Sequence, residues 1–434
     1  MMSSSVMANI GSYRWLLTGL MVGSVLVFSD QLLDYYHHSR FLFLSVIVFF
    51  FSIVLFICKR DKRLEFHSSK IGWALIGFAA LNILSITWAA EKAEALFYTE
   101  KWIYAACLFY LLLWTFLERQ ENEVSHFIAQ LARVTTTIIL VVVFIPLINV
   151  IQKDGISNEA LYQVKTMFGH KSLTSLFLFL LLPLNLLDKF ERNFTWPVLL
   201  LVLCQILMIL VLQSRAVYLS LFVFILIVGS HVFHYRTHWS PFLKKKYILP
   251  AVLIMVGAFV FLLQNDGFRE RLNMLHYLKS QTSTERQDVW RMTKPLIREH
   301  WIMGVGPGNW KLQFPGHGVE GSYRMQDQNV FFTRAHNDFL EIFAELGLLG
   351  FSIYVFLFGY AFYQLHLARH KSPWKSRMLL AGMIGYLISS LIDFPKERLE
   401  FVTILILYLA VVESISAKKI TKSLSPYFLM LITF

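Results

Sequence analysis

Long uncharged apolar runs set the terms for anything this chain can fold into. Residues 41–58 read FLFLSVIVFFFSIVLFIC, and 134–150 are equally free of charge; a helix needs about 17–25 such residues to cross a bilayer. Backbone groups in hydrocarbon must pair within the protein, and these runs lack the period-2 alternation of barrel strands, so the spans are helices. The fold expected is all-α: a polytopic integral membrane protein of about twelve transmembrane helices. The runs lie at 15–29, 41–58, 71–89, 102–117, 131–150, 173–187, 196–212, 216–233, 247–263, 339–365, 378–392 and 401–416. Charged residues make up 16% of the chain, against about 25% in soluble domains, which excludes the ordinary soluble classes.

The net charge of +12 would suggest nucleic acid in a soluble chain, but its distribution argues otherwise. The clusters Lys59 to Arg63, Lys244-Lys245-Lys246, Arg369 to Arg377 and Lys418-Lys419 all follow even-numbered spans. With both termini cytoplasmic, every cluster falls inside, as the positive-inside bias requires. Membrane lipids, and no nucleic acid, are the partners this implies. Cys58, Cys107 and Cys204 lie in or at the ends of spans and read as small buried apolar residues, not as a disulfide or zinc framework. The start, MMSSSVMANIGSYR, shows no cleavage pattern, so the first span is expected to stay as an anchor.

Three stretches follow: 1–263 with nine spans, an outer loop at 264–336, and 337–434 with three more spans. No internal repeat is visible, which argues against a transporter built of two related halves. The outer loop carries Arg286, Trp290, Arg291, Arg324, Arg334 and His336, side chains suited to holding an anion and moving a proton. Within it Thr282-Ser283-Thr284-Glu285 has capping-box spacing, and Val289, Met292, Leu296 and Ile297 recur at helical spacing. An amphipathic helix is expected over about 283–300, stopped by Gly304-Val305-Gly306-Pro307-Gly308-Asn309. A second helix should begin near Asn337 or Asp338, with Asn337 as its N-cap.

On this reading Arg286 falls in the first helical turn, where the macrodipole disfavours a cation; helix donors and a guanidinium together suit a phosphate. A solvated polar face is the plainer alternative. Arg215 lies between two apolar spans joined only by Gln213-Ser214-Arg215; ionisable groups there point to function, or to an Arg snorkelling to lipid phosphates. His336, just ahead of a helix N-terminus, is placed to stay neutral and act as a base, a structural His being the alternative. His170-Lys171, at the outer mouth of the sixth span, could touch an anion. Asp393 is expected to pair with an Arg, and Gly347 and Gly350 to permit close helix packing. No metal-binding motif, nucleophile elbow or P-loop occurs.

His336-Asn337 followed after nine residues by Gly347-Leu348-Leu349-Gly350 resembles the signature of the O-antigen ligase family and of related surface-polysaccharide polymerases. So do Ser214-Arg215 opening a span and Arg286-x-x-x-Trp290 followed by Pro295 and Gly304-Val305-Gly306; Met167 to Lys171 with Pro183 is a weaker likeness. Phe351-Ser352 and Ala216 depart from the commoner Thr-Thr and Gly of ligases. The resemblance implies a metal-independent inverting glycosyltransferase, without cofactor, whose active site is periplasmic in a bacterial inner membrane. Its donor would be a glycan on undecaprenyl diphosphate and its acceptor lipid A–core oligosaccharide. Carried over by motif, Arg215 and Arg286 would bind the diphosphate and His336 would activate the acceptor hydroxyl, with His170, Lys171, Trp290, Arg334 and Asn337 as further candidates for substrate binding. A polymerase or a protein O-oligosaccharyltransferase would use the same donor. A lipid-linked sugar flippase is the reading from a different class.

Overall fold

The computed structural model describes residues 13–27, 37–59, 64–154, 161, 164, 166–189, 195–235, 257, 260, 263–264, 268–269, 281–317, 331–416 and 421–424. The helices among them are α1 (Tyr13–Leu26), α2 (His37–Lys59), α3 (Lys70–Ser85), α4 (Lys92–Leu117), α5 (Glu121–Asp154), α6 (Lys171–Asn185), α7 (Trp196–Val211), α8 (Arg215–His234), α9 (Gln281–Glu299), α10 (Trp310–Gln313), α11 (Asp338–Ala368), α12 (Pro373–Ile392) and α13 (Leu399–Ser416). Five of these, α4, α5, α8, α11 and α13, are long and apolar enough to cross a membrane; α1, α2, α3, α6 and α7 contain shorter apolar helices at five other expected positions. Most of the expected ninth span, the 244–246 and 418–419 basic runs and Arg324 lie outside the described residues.

One short antiparallel ladder adds to the helical expectation: β1 (Leu64–His67) pairs with β2 (Thr421–Leu424), Leu64 opposite Leu424. It joins the segment after α2 to the segment after α13, so those two helices end on the same side of the bundle. Lys375 of α12 meets Glu121 of α5 at 3.0 Å, tying the starts of two more helices together.

α13 is the centre of the packing. Leu399 to Glu413 are all buried, against α4, α11 and α12 among others. Around this core α3 lies on α4 and α11, α8 on α12, and α6 between α5 and α12. The outside is apolar as well, with Val141, Phe144 and Ile145 of α5 and Phe222, Ile225 and Leu226 of α8 exposed. A surface of that kind is a liability in water and a requirement in hydrocarbon.

Three expectations need correction. Cys204 is exposed and Cys107 only half-buried, so neither is the fully buried residue expected. The helix expected over 102–117 begins earlier, at Lys92; the Glu91 carboxylate caps it by accepting from Ala93 N at 3.1 Å. Gly347 does not merely ease packing. Its φ of 62° and ψ of −164° break α11, and a Cβ there would overlap the Ile302 carbonyl. The break leaves backbone groups without helical partners, and the 301–306 loop takes them. Val305 N donates to Ala344 O at 3.0 Å, Gly306 N to Glu345 O at 2.8 Å, and Leu348 N to Trp301 O at 2.8 Å. Asn309 closes the other side, accepting from Glu91 N at 2.7 Å and donating to Glu91 O at 3.1 Å. The glycine cluster is therefore a docking plug between α11 and the α3–α4 connection.

Candidate active site

α9 buries Val289, Met292 and Leu296 against Trp310, Phe314, Ala335 and Ala344. The expected helix is thus present, but it already includes Gln281, so the Thr282 box lies inside it and Arg286 sits in the second turn. Arg286 therefore lies away from the helix-terminus donors and can hold a phosphate through its guanidinium alone. Trp290, one turn on, donates from Nε1 to Ala335 O at 2.8 Å. Glu341 Oε2 accepts from Ala335 N at 2.7 Å, and the Asn337 side chain caps α11 by accepting from Leu340 N at 3.0 Å. His336 is held between these anchors with φ at +51°. A non-glycine residue in that region costs on the order of 1–3 kcal/mol and persists only where its surroundings impose it.

Among the described residues the other non-glycine positive φ belongs to Gln213, at 53°. It turns the chain from α7 to Arg215, the first residue of α8, with Ser214 at the N-cap. His170 caps α6, its Nδ1 accepting from Ser172 N at 3.1 Å, and Lys171 beside it is buried. These separate pieces line one cavity of about 370 Å³, which gathers His170, Lys171, Gln213, Arg215, Arg286, His336, Asp393 and Arg398. All come from the same end of the bundle.

Asp393, at the C-terminus of α12, places Oδ1 3.7 Å from His336 Nδ1. Phe394 packs its ring edge against the imidazole, with centroids 5.0 Å apart. Burial pushes the Asp393 carboxyl up, but His336, Arg286 and His170 outweigh it and hold the group below its ordinary value. The ionised carboxylate faces Nδ1 from just beyond hydrogen-bond distance, where it favours positive charge on the imidazole.

Residues 200–355 match the model of a family described as O-antigen ligase. Over this stretch the chain is similar to the O-antigen ligase family. The stretch contains Arg215, Arg286, Trp290, the glycine plug, His336 and the α11 break, while His170, Lys171, Asp393 and Arg398 reach its cavity from outside the matched residues. No curated protein sequence matches the chain.

Three of the further candidates do not line this cavity. Trp290 and Asn337 position the residues on either side of His336. Arg334 turns away, to Glu397 Oε2 at 3.1 Å, and lies over the Tyr98 ring at 5.0 Å. Lys101 also reaches Glu397, at 3.3 Å, and Lys396 reaches Glu341 at 2.7 Å. Burial pushes Lys396 down, but Glu341 and Glu397 outweigh it and hold it well above its usual value. Burial pushes Glu397 up, and Arg334, Lys101 and Lys396 hold it well below. The same Glu341 bonds Ala335 N, so this buried network braces the His336 segment. Arg291 is exposed and pairs with Asp288 at 3.0 Å.

Gln213 and Arg398 in the cavity were not expected from the sequence, nor was the imidazole beside Asp393, whose expected arginine neighbour is present as Arg286. The run Lys396-Glu397-Arg398-Leu399-Glu400 between apolar spans was a usable signal for Arg398. Gln213 offered none. Its side chain is buried, and neither polar atom meets a partner among the described residues.

Proposed function

We propose that this protein transfers a glycan from undecaprenyl diphosphate to lipid A–core oligosaccharide, working at the periplasmic end of a twelve-span bundle in a bacterial inner membrane. The observation that carries the reading is the convergence of Arg215, Arg286 and His336, from three separated elements, on one cavity with Asp393 behind the imidazole.

In this reading the two guanidiniums clamp the donor diphosphate through charge-assisted, bidentate hydrogen bonds. His336 Nε2 takes the proton of the acceptor hydroxyl as its oxygen attacks the anomeric carbon. The bond from that carbon to the diphosphate oxygen breaks, and the electron pair leaves with undecaprenyl diphosphate, stabilised by Arg215 and Arg286. Attack opposite the leaving group inverts the anomeric centre. Asp393 stabilises the imidazolium formed, which returns its proton to water. The fixed positive charge at the leaving group makes a metal ion unnecessary.

The test is transfer by purified protein from an undecaprenyl-diphosphate oligosaccharide, with and without lipid A–core and with and without EDTA. Product that requires lipid A–core and survives EDTA is expected. A ladder of longer lipid-linked glycans without acceptor would make the protein a polymerase with the same three residues at work. No product in either arm would overturn the lipid A–core reading and turn the search to protein acceptors, and then to transport.

A further inference from the structure

The turn that ends α9 is exposed and apolar. Trp301, Ile302 and Met303 are each at least half exposed, although they sit on the loop that carries Arg286. Their position relative to α11 is fixed, since Leu348 N donates to Trp301 O and a Cβ on Gly347 would meet Ile302 O. Leu348 and Leu349, the next residues of α11, are exposed too. The two stretches form one continuous apolar surface.

From Leu348 to Ala368 the helix rises about 31 Å at ~1.5 Å per residue, close to the ~30 Å hydrocarbon thickness. Leu348 therefore stands at the outer edge of the hydrocarbon when this helix crosses. The exposed side chains at 348 and 349 face lipid there, and the 301–303 turn, bonded to the same backbone, shares that depth. Lys294 and Arg298 are exposed on α9 about two turns and one turn before the tip, where they would meet lipid phosphates once the tip is seated in the interface. The nearby Glu299 carboxylate is 3.6 Å from His317. A tryptophan beside two aliphatic side chains is the composition that seats in a bilayer interface.

We infer that Trp301-Ile302-Met303 inserts into the outer-leaflet interface of an anionic phospholipid bilayer, anchoring the extramembrane loop that carries Arg286. The anchor sets the height of the cavity. The plug at 304–309 and α9 are rigidly continuous with it, so seating the turn fixes Arg286 relative to the lipid surface from which a polyprenyl donor would enter. The inference rests on α11 crossing the membrane.

The experiment places a nitroxide on Cys introduced at Ile302 or Met303, in a chain whose Cys58, Cys107 and Cys204 are Ser, reconstituted in phosphatidylethanolamine/phosphatidylglycerol nanodiscs. Collision with oxygen is compared with collision with a water-soluble nickel chelate. Phe356→Cys, exposed farther along α11, is the hydrocarbon reference, and Gly316→Cys, where an added Cβ meets nothing within 4 Å, is the aqueous one. Positions 302 and 303 are expected to be oxygen-accessible and nickel-shielded, in the direction of Phe356. Nickel access equal to position 316, with Phe356 still shielded, would overturn the anchor alone. Shielding from both reagents would mean that protein covers the turn, and would overturn it as well. Nickel access at Phe356 would overturn the crossing of α11 and the anchor with it.

Discussion

Replacing Asp393 by Asn removes one charge and keeps the shape, so it isolates what the carboxylate does for His336. The separation from Oδ1 to Nδ1 is 3.7 Å. With an effective dielectric of about 20, a carboxylate and the imidazolium formed in the transition state attract by about 4.5 kcal/mol at that distance. The Asp393 side chain is 22% exposed, and solvent screening reduces the figure to about 2–4 kcal/mol. At about 1.4 kcal/mol per tenfold, kcat should fall about 30- to 1000-fold. Donor affinity should hold, because Arg215 and Arg286 keep their charges. The assay is transfer of fluorescent undecaprenyl-diphosphate oligosaccharide at saturating acceptor, with donor binding measured separately, and Asp393→Glu as the partial rescue. A variant with unchanged kcat, or with lost donor binding and normal turnover of what binds, would refute the positioning role.

Arg215→Ala and Arg286→Ala should each weaken donor binding by about 2–5 kcal/mol if the guanidinium meets a desolvated diphosphate; titration of donor into either variant checks this, and wild-type affinity in both would remove the clamp. Gly347→Ala should unfold the plug, since the added Cβ strikes Ile302 O at a φ of 62°, with a loss of at least about 3 kcal/mol seen as a lower melting temperature. Glu397, held well below its ordinary value, contributes stability that is present above the unfolded pKa of about 4.3 and lost as pH falls through the folded value. The melting-temperature difference between wild type and Glu397→Gln should therefore stay constant from neutral pH to about 4.3 and shrink only below it.

Features written within a few residues were legible from sequence. Where they are described the apolar runs become helices, Asn337 caps α11, and the buried stripe of α9 follows its periodicity. Where two local signals competed the reading failed. Thr282-Ser283-Thr284-Glu285 looked like a helix start and lies inside one, and Gly347 sat in an unbroken apolar run that hid a break. A break there makes sense only with the 301–306 backbone in place to take the released hydrogen-bonding groups. The pairing of His336 with Asp393 spans 57 positions, and nothing in either neighbourhood announces the other. Arg334 was read as substrate-facing for its charge and its place in the loop. Its buried partner Glu397 lies across the bundle, visible only once α4, α11 and α13 are packed.

The central claim is that His336 removes the acceptor proton in a site whose arginines hold the donor. His336→Ala, purified and loaded with undecaprenyl-diphosphate oligosaccharide, tests it in a single turnover after acceptor is added. The account predicts donor binding close to wild type and transfer slowed at least about a hundredfold, the usual lower range for loss of general base catalysis. Transfer at the wild-type rate would contradict it.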